Sequence, residues 1–151
     1  LNRRLERDLG PREFVALAFA RFDPTRGTVE LGNAGLPDPY RLASAPRPLE
    51  VDGPRLPLGL RSEVEYRSTT HALAEGERLL VITDGMPEAP RADGSPLGYE
   101  SFAELLTAAP GEAGAWLDDL VAALRAHSEA PQEDDWTALL LERRRAADAG
   151  E

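Results

Sequence analysis

Apolar residues recur along this chain at two spacings, every second position and every third to fourth, and the switches between them mark out the elements. Residues 14–22, FVALAFARF, are apolar on both alternating sides, which predicts a strand covered on two faces. The turn Asp23-Pro24-Thr25-Arg26-Gly27 leads into a partner strand from Thr28 to Ala34 with Val29 and Leu31 on one side, and Gly35 to Pro39 breaks it. Tyr40 to Ala43 reads as a short strand, and the prolines between Ser44 and Pro57 as an irregular loop. Glu63 to Thr70 alternates Val64 and Tyr66 against charged residues, as a half-exposed antiparallel strand does. Arg78 to Thr83 is a further strand, apolar from Leu79 to Ile82.

Two amphipathic helices follow. One spans about Ser101 to Ala109, with Ser101 and Glu104 at the spacing of a capping box and Pro110 beyond it. The other spans about Glu112 to Ser128, with Trp116, Leu117, Leu120, Val121 and Leu124 on one side and His127 in its last turn, where it reads as a cap residue. A final strand, Trp136 to Leu141, is apolar on both faces, and the charged tail 144–151 is expected to fray. Leu1, Leu5 and Leu9 form one stripe of a helix already under way at the first residue, which predicts a fragment of a longer chain.

Charge and composition narrow the chemistry. Seventeen basic against 27 acidic residues give a net charge of −10, which disfavours a nucleic-acid partner. There is no Cys, so thiolate catalysis and thiolate-bound zinc are excluded, and His71 and His127 are the only imidazoles. No run approaches a membrane span and no signal-peptide pattern opens the chain, so the expected location is the cytoplasm.

Asp84 ends one apolar strand and Asp134-Asp135 opens another. Asp84-Gly85 by itself is also compatible with a plain hairpin turn, and Asp134-Asp135 with a solvated turn. A single crossover helix would leave these acids at opposite ends of parallel strands; two helices return the chain to its starting edge and make the strands antiparallel. Carboxylates gathered there repel by roughly 1 kcal/mol at 4 Å in water and about 4 kcal/mol at an effective dielectric of 20. The chain has no Lys, and no Arg adjoins either acidic stretch, so a divalent cation is the simplest counter-charge, Mg²⁺ or Mn²⁺ rather than zinc.

FVALAFARFDPTRGTVELGNAG, LPLGL, GERLLVITDGMPEA, DGSPLG and QEDDWTALLLE, in this order, resemble the protein phosphatase 2C (PPM-type) superfamily, most closely its stage II sporulation protein E-like bacterial branch. The resemblance runs from about Leu1 to Arg143. It implies an α+β fold of two packed antiparallel sheets flanked by helices, here lacking the family's amino-terminal strands, so that 1–143 is the later part of a phosphatase domain. It further implies a dinuclear Mn²⁺ or Mg²⁺ centre at the sheet edge, with Asp84 and Asp134 as catalytic metal ligands, Asp135 as support or a weaker ligand, and Gly85 letting the backbone turn close to the metal.

The implied activity is hydrolysis of phosphoserine or phosphothreonine by metal-activated water, without a covalent intermediate. By analogy the substrate is a bacterial regulator such as an anti-sigma-factor antagonist, under an upstream sensor domain. Two departures stand out. Asn33-Ala34-Gly35-Leu36 lacks the histidine of the family's segment, and nothing matches the family's amino-terminal metal-bridging Asp or its second Asp-containing segment, so the chain alone is expected to be inactive. The competing functions are a non-catalytic phosphatase-fold binding module and a small sandwich whose acidic edge binds structural Ca²⁺. The loop from Met86 to Tyr99 is placed to border the cleft, either shaping substrate access or simply connecting.

Overall fold

In a computed structural model, which describes residues 1–106, 112–128, 132 and 134–144, the chain forms three helices and seven strands among the described residues. They run α1 (Asn2–Asp8), β1 (Leu17–Asp23), β2 (Thr28–Ala34), β3 (Tyr40–Leu42), β4 (Arg47–Pro48), β5 (Ser68–Ala72), β6 (Arg78–Ile82), α2 (Tyr99–Leu105), α3 (Ala113–His127) and β7 (Ala138–Glu142). The strands make two sheets, ordered β1-β2-β5 and β4-β3-β6-β7, with every pairing antiparallel.

The sheets face each other across Val29, Leu31, Leu49, Val51 and Leu79, with Phe22, Val81 and Leu141 packed against that cluster. The other side of the four-stranded sheet carries Tyr40, Leu42, Leu80 and Ile82 against Phe102, Leu106, Trp116, Leu120 and Leu124. This places β6 between two cores and accounts for its unbroken apolar run. Each large side chain fully buried there contributes roughly 1.5–3 kcal/mol. Trp116, Leu120 and Leu124 come four residues apart, so one stripe of α3 meets the sheet.

Arg143 ties the two sheets together beyond the end of β7. Its Nη1 donates to the Leu73 carbonyl at 2.7 Å, and its guanidinium occupies the space a side chain at Gly27 would need. Gly27 has φ +62°, so both conformation and proximity demand glycine in the β1–β2 turn.

Several expectations change. The strand FVALAFARF is not covered on both faces: β1 begins at Leu17, lies at the edge of its sheet, and leaves Leu17 40% and Phe19 49% exposed. Ahead of it Val15 makes an isolated bridge with Leu58, and Phe14 is also exposed. The strand expected over Glu63–Thr70 is β5 at Ser68–Ala72; Tyr66 lies before it and donates its hydroxyl to the Leu56 and Pro57 carbonyls. The first helix after β6 starts at Tyr99 behind Gly98, not at a Ser101 capping box, so Ser101 lies inside the helix, where its hydroxyl accepts from Arg91 Nη2 at 2.9 Å. The closing strand is an edge strand with Leu139 exposed. Pro110 and the tail beyond Arg144 lie outside the described residues. Among the described residues no helix is long and apolar enough to cross a membrane.

Candidate metal centre and its cleft

β6 and β7 pair from Arg78↔Glu142 to Ile82↔Ala138, so the end of β6 and the start of β7 share one sheet edge. Thr83 extends that pairing. Its N–H donates to the Thr137 carbonyl at 3.1 Å, its hydroxyl donates to the Asp135 carbonyl at 2.9 Å, and it accepts from the Thr137 N–H at 3.0 Å. Asp84 follows directly, at the point where the strand gives way to a turn.

That turn is not a two-residue hairpin. The Met86 N–H reaches the Thr83 carbonyl at 3.3 Å and the Glu88 N–H the Asp84 carbonyl at 2.9 Å, a helix-like winding, and Gly85 does not adopt positive φ. Gly85 is required by proximity. A Cβ there would stand 2.7 Å from the Asp135 carbonyl oxygen and 3.2 Å from the Asp134 Cβ. The Asp134-Asp135 segment therefore packs against Gly85, the residue that follows Asp84.

Their side chains face different surroundings. Asp134 and Asp135 are exposed, and the Asp134 carboxylate accepts the Asp135 N–H at 2.7 Å. Asp84 is half-buried and lines a cleft of about 410 Å³ together with Asp38, Glu88, Arg55, Tyr40 and Tyr99, a lining that includes neither Asp134 nor Asp135. No hydrogen bond or ion pair engages the Asp84 carboxylate among the described residues, which leaves its oxygens available. The Tyr99 hydroxyl has its pKa raised first by burial and then by the carboxylates of Glu88, Asp84 and Asp38. Burial, then Tyr99 and Asp38, likewise raise Tyr40.

One wall of the cleft comes from the β2–β3 connection. Asn33 is buried and closes the turn on both sides, donating from Nδ2 to the Leu36 carbonyl at 2.8 Å and accepting the Leu36 N–H at 3.0 Å. Gly35, at φ +98°, sits where a Cβ would meet the Pro57 ring at 2.6 Å. Asn33-Ala34-Gly35-Leu36 is thus a structural turn. Beyond it Asp38 accepts from Asn33 Nδ2 at 3.4 Å and pairs with Arg55 Nη1 at 2.7 Å.

Asp38, Glu88 and Arg55 are absent from the residues singled out in the sequence. Glu88 carries a readable signal, four residues after Asp84 and so one helical turn away. Arg55 carries none, and its presence corrects the inference that no guanidinium stands near the acids: none adjoins them in sequence, but one shares the cleft of Asp84. The Met86–Tyr99 loop packs at its base, with Met86, Pro87, Ala89 and Leu97 buried and Arg91 Nη2 donating to the Leu97 carbonyl at 2.8 Å, while its tip, 92–96, is exposed together with Glu88 and Tyr99.

Oxygen donors at Asp84 and Asp134 suit a hard divalent cation. Among the described residues, however, no group of three or more His, Asp or Glu stands close enough to hold one. Asp84, Asp134 and Asp135 therefore do not form such a group by themselves.

Two facing antiparallel sheets with helices packed on the outside of one are the layers of the protein phosphatase 2C fold, and solved domains of that class superpose on the chain. The SiaA-PP2C domain of Pseudomonas aeruginosa matches with TM-score 0.72 at 24% identity, over 84% of this chain and 51% of that one. A Mycobacterium tuberculosis structure of RsbU and RsbW domains gives 0.71 at 26%, over 94% and 40%. The phosphatase domain with a regulatory fragment of SpoIIE from Bacillus subtilis gives 0.73 at 16%, over 89% and 41%. The chain belongs to the stage II sporulation protein E family, whose sequence model matches residues 1–144. It spans about half the length, or less, of these solved chains. Curated protein sequences give no significant match.

Proposed function

We propose that this chain is the later part of a PPM-type protein serine/threonine phosphatase domain, with Asp84 and Asp134 each giving a carboxylate oxygen to one divalent ion and Asp135 supporting them. The observation that carries this reading is the meeting of the two acidic strand ends across Gly85, in a chain of this family. Mn²⁺ or Mg²⁺, when bound, would supply an acidified water and neutralise charge on the phosphoryl group. The chain's own part is to hold the ligands rigidly: Thr83 locks the ends of β6 and β7 to each other, and the winding at Asp84–Glu88 fixes where the Asp84 carboxylate emerges.

The remaining ligands of the dinuclear site belong, in this reading, to polypeptide that pairs with the free edge of β1 and covers Leu17 and Phe19. The 1–151 chain alone is therefore inactive. The substrate is phosphoserine or phosphothreonine in a bacterial regulatory protein in the cytoplasm, such as an anti-sigma-factor antagonist. The alternative, a non-catalytic binding module, draws on the incomplete metal group among the described residues.

Phosphate release from a phosphopeptide by the natural full-length protein with Mn²⁺ separates the two. Asp84→Ala is expected to lower turnover by at least about a hundredfold, within the several kcal/mol a catalytic metal supplies. Equal rates in wild type and variant would reject the metal assignment, and absence of turnover in both would favour the binding module.

A further inference from the structure

The cleft beside Asp84 is acidic except at one point. Asp38, Asp84 and Glu88 line it, and Arg55 is the cationic residue of that lining. A phosphomonoester brings about −1.5 to −2 charges at pH 7 into such a place. It needs a fixed donor array, and a guanidinium offers five N–H groups in a fork that matches phosphate oxygens.

Arg55 is held in place from several sides. Its Nη1 forms an ion pair with Asp38 Oδ2 at 2.7 Å, and the Asp38 side chain, only 13% exposed, also accepts from Nδ2 of the buried Asn33 at 3.4 Å. The backbone that follows is anchored as well: Tyr66 donates its hydroxyl to the Leu56 carbonyl at 2.8 Å, and Leu58 exchanges two backbone hydrogen bonds with Val15, at 2.8 and 2.9 Å. The Arg55 side chain remains 44% exposed, and among the described residues its only pairing is with Asp38. Donors are left over, on a guanidinium that the Asp38 ion pair biases toward this cleft.

We propose that Arg55 is a substrate-positioning residue of this cleft, its Asp38-tethered guanidinium taking phosphoryl oxygens of the incoming phosphoserine or phosphothreonine. This rests on the phosphatase reading for the identity of the ligand, and on the Asn33-Asp38-Arg55 chain for the site. The same donors would take inorganic phosphate, the product.

Calorimetric titration of the metal-depleted full-length protein with inorganic phosphate, at fixed ionic strength, reads the site without turnover. Arg55→Ala is expected to weaken phosphate binding about tenfold, with Arg55→Lys recovering part of the loss because it keeps the charge without the fork. In Mn²⁺-dependent turnover Arg55→Ala should raise KM for a phosphopeptide by a similar factor while kcat changes less than about threefold. An unchanged melting temperature confirms that the half-exposed side chain was removed without unfolding the protein. Equal phosphate affinity of wild type and Arg55→Ala overturns the proposal. Turnover that survives Arg55→Ala with KM unchanged overturns it while leaving the phosphatase reading intact, whereas loss of phosphate affinity in a protein with no turnover does the reverse.

Discussion

The two sheets start from similar apolar patterns and end in different surroundings. In β4-β3-β6-β7 the central strand β6 is sealed on both sides, Leu79 toward the other sheet and Leu80 and Ile82 toward α2 and α3. In β1-β2-β5 only the side facing the partner sheet is closed: β2 buries Val29 and Leu31, while Leu17 and Phe19 on β1 stay open to solvent. Apolar residues on both faces of a strand state that two covers are wanted. They do not state that both covers are present in the same stretch of chain.

The contrast can be tested by truncation. Phe102 is fully buried under the four-stranded sheet with its ring centroid 5.9 Å from that of Tyr40, and Phe102→Ala is expected to cost about 3–5 kcal/mol in urea unfolding of the chain. A cost below about 1 kcal/mol would mean that the helices do not seal that face. At the junction of β6 and β7, Gly85→Ala forces a methyl group against the Asp135 carbonyl and should cost about 1–3 kcal/mol, since overpacking against backbone cannot relax easily. A neutral result would show that the two strand ends do not pack closely around Gly85.

Arg143→Ala removes the link from β7 to Leu73 and should cost roughly 1–2 kcal/mol by the same measurement, in the range of a charge-assisted hydrogen bond that is partly open to water. Smaller still, Phe19→Ala is expected to change stability of this chain by no more than about 0.5 kcal/mol, as exposed positions do. Repeating it in the natural full-length protein sharpens the comparison, because a cost of about 3 kcal/mol or more there would show that β1 is covered in that context.

The slightest effect lies in the β1–β2 turn. Asp23 accepts the backbone N–H groups of Arg26 and Thr25, each at 3.0 Å, and the Arg26 backbone bond first, then the Arg26 guanidinium and the Thr25 bond, hold its pKa below 3.8 against desolvation. A folded pKa below the unfolded one stabilises above the unfolded value and loses that contribution as pH falls through the folded value. An NMR titration of Asp23 with a midpoint at or above 3.8 would remove this contribution.

Much of the fold was readable because it is local. The α3 stripe was expected over 112–128 and forms over Ala113–His127, and the Asp23–Gly27 turn joins β1 to β2 where it should. Counting two helices between β6 and β7 correctly predicted their antiparallel pairing. The expected start of α2 at Ser101 falls inside the helix, which begins at Tyr99 behind Gly98. In the candidate site, the shared sheet edge of the end of β6 and the start of β7 followed from strand direction, whereas the Asp38–Arg55 pair and the cleft it walls did not.

The chain's own order of residues determined which positions are apolar, how each element repeats, and which acids stand at strand ends, since these follow from side-chain alternation and helical pitch within a few residues. Tertiary structure alone decided that Asn33, Asp38 and Arg55 form one connected chain beside Asp84, and that β1 faces solvent. Such contacts join residues whose separation along the chain carries no periodic signal. They exist only once loops have closed and two sheets have packed, and the energy that holds them comes from surfaces that no short stretch contains.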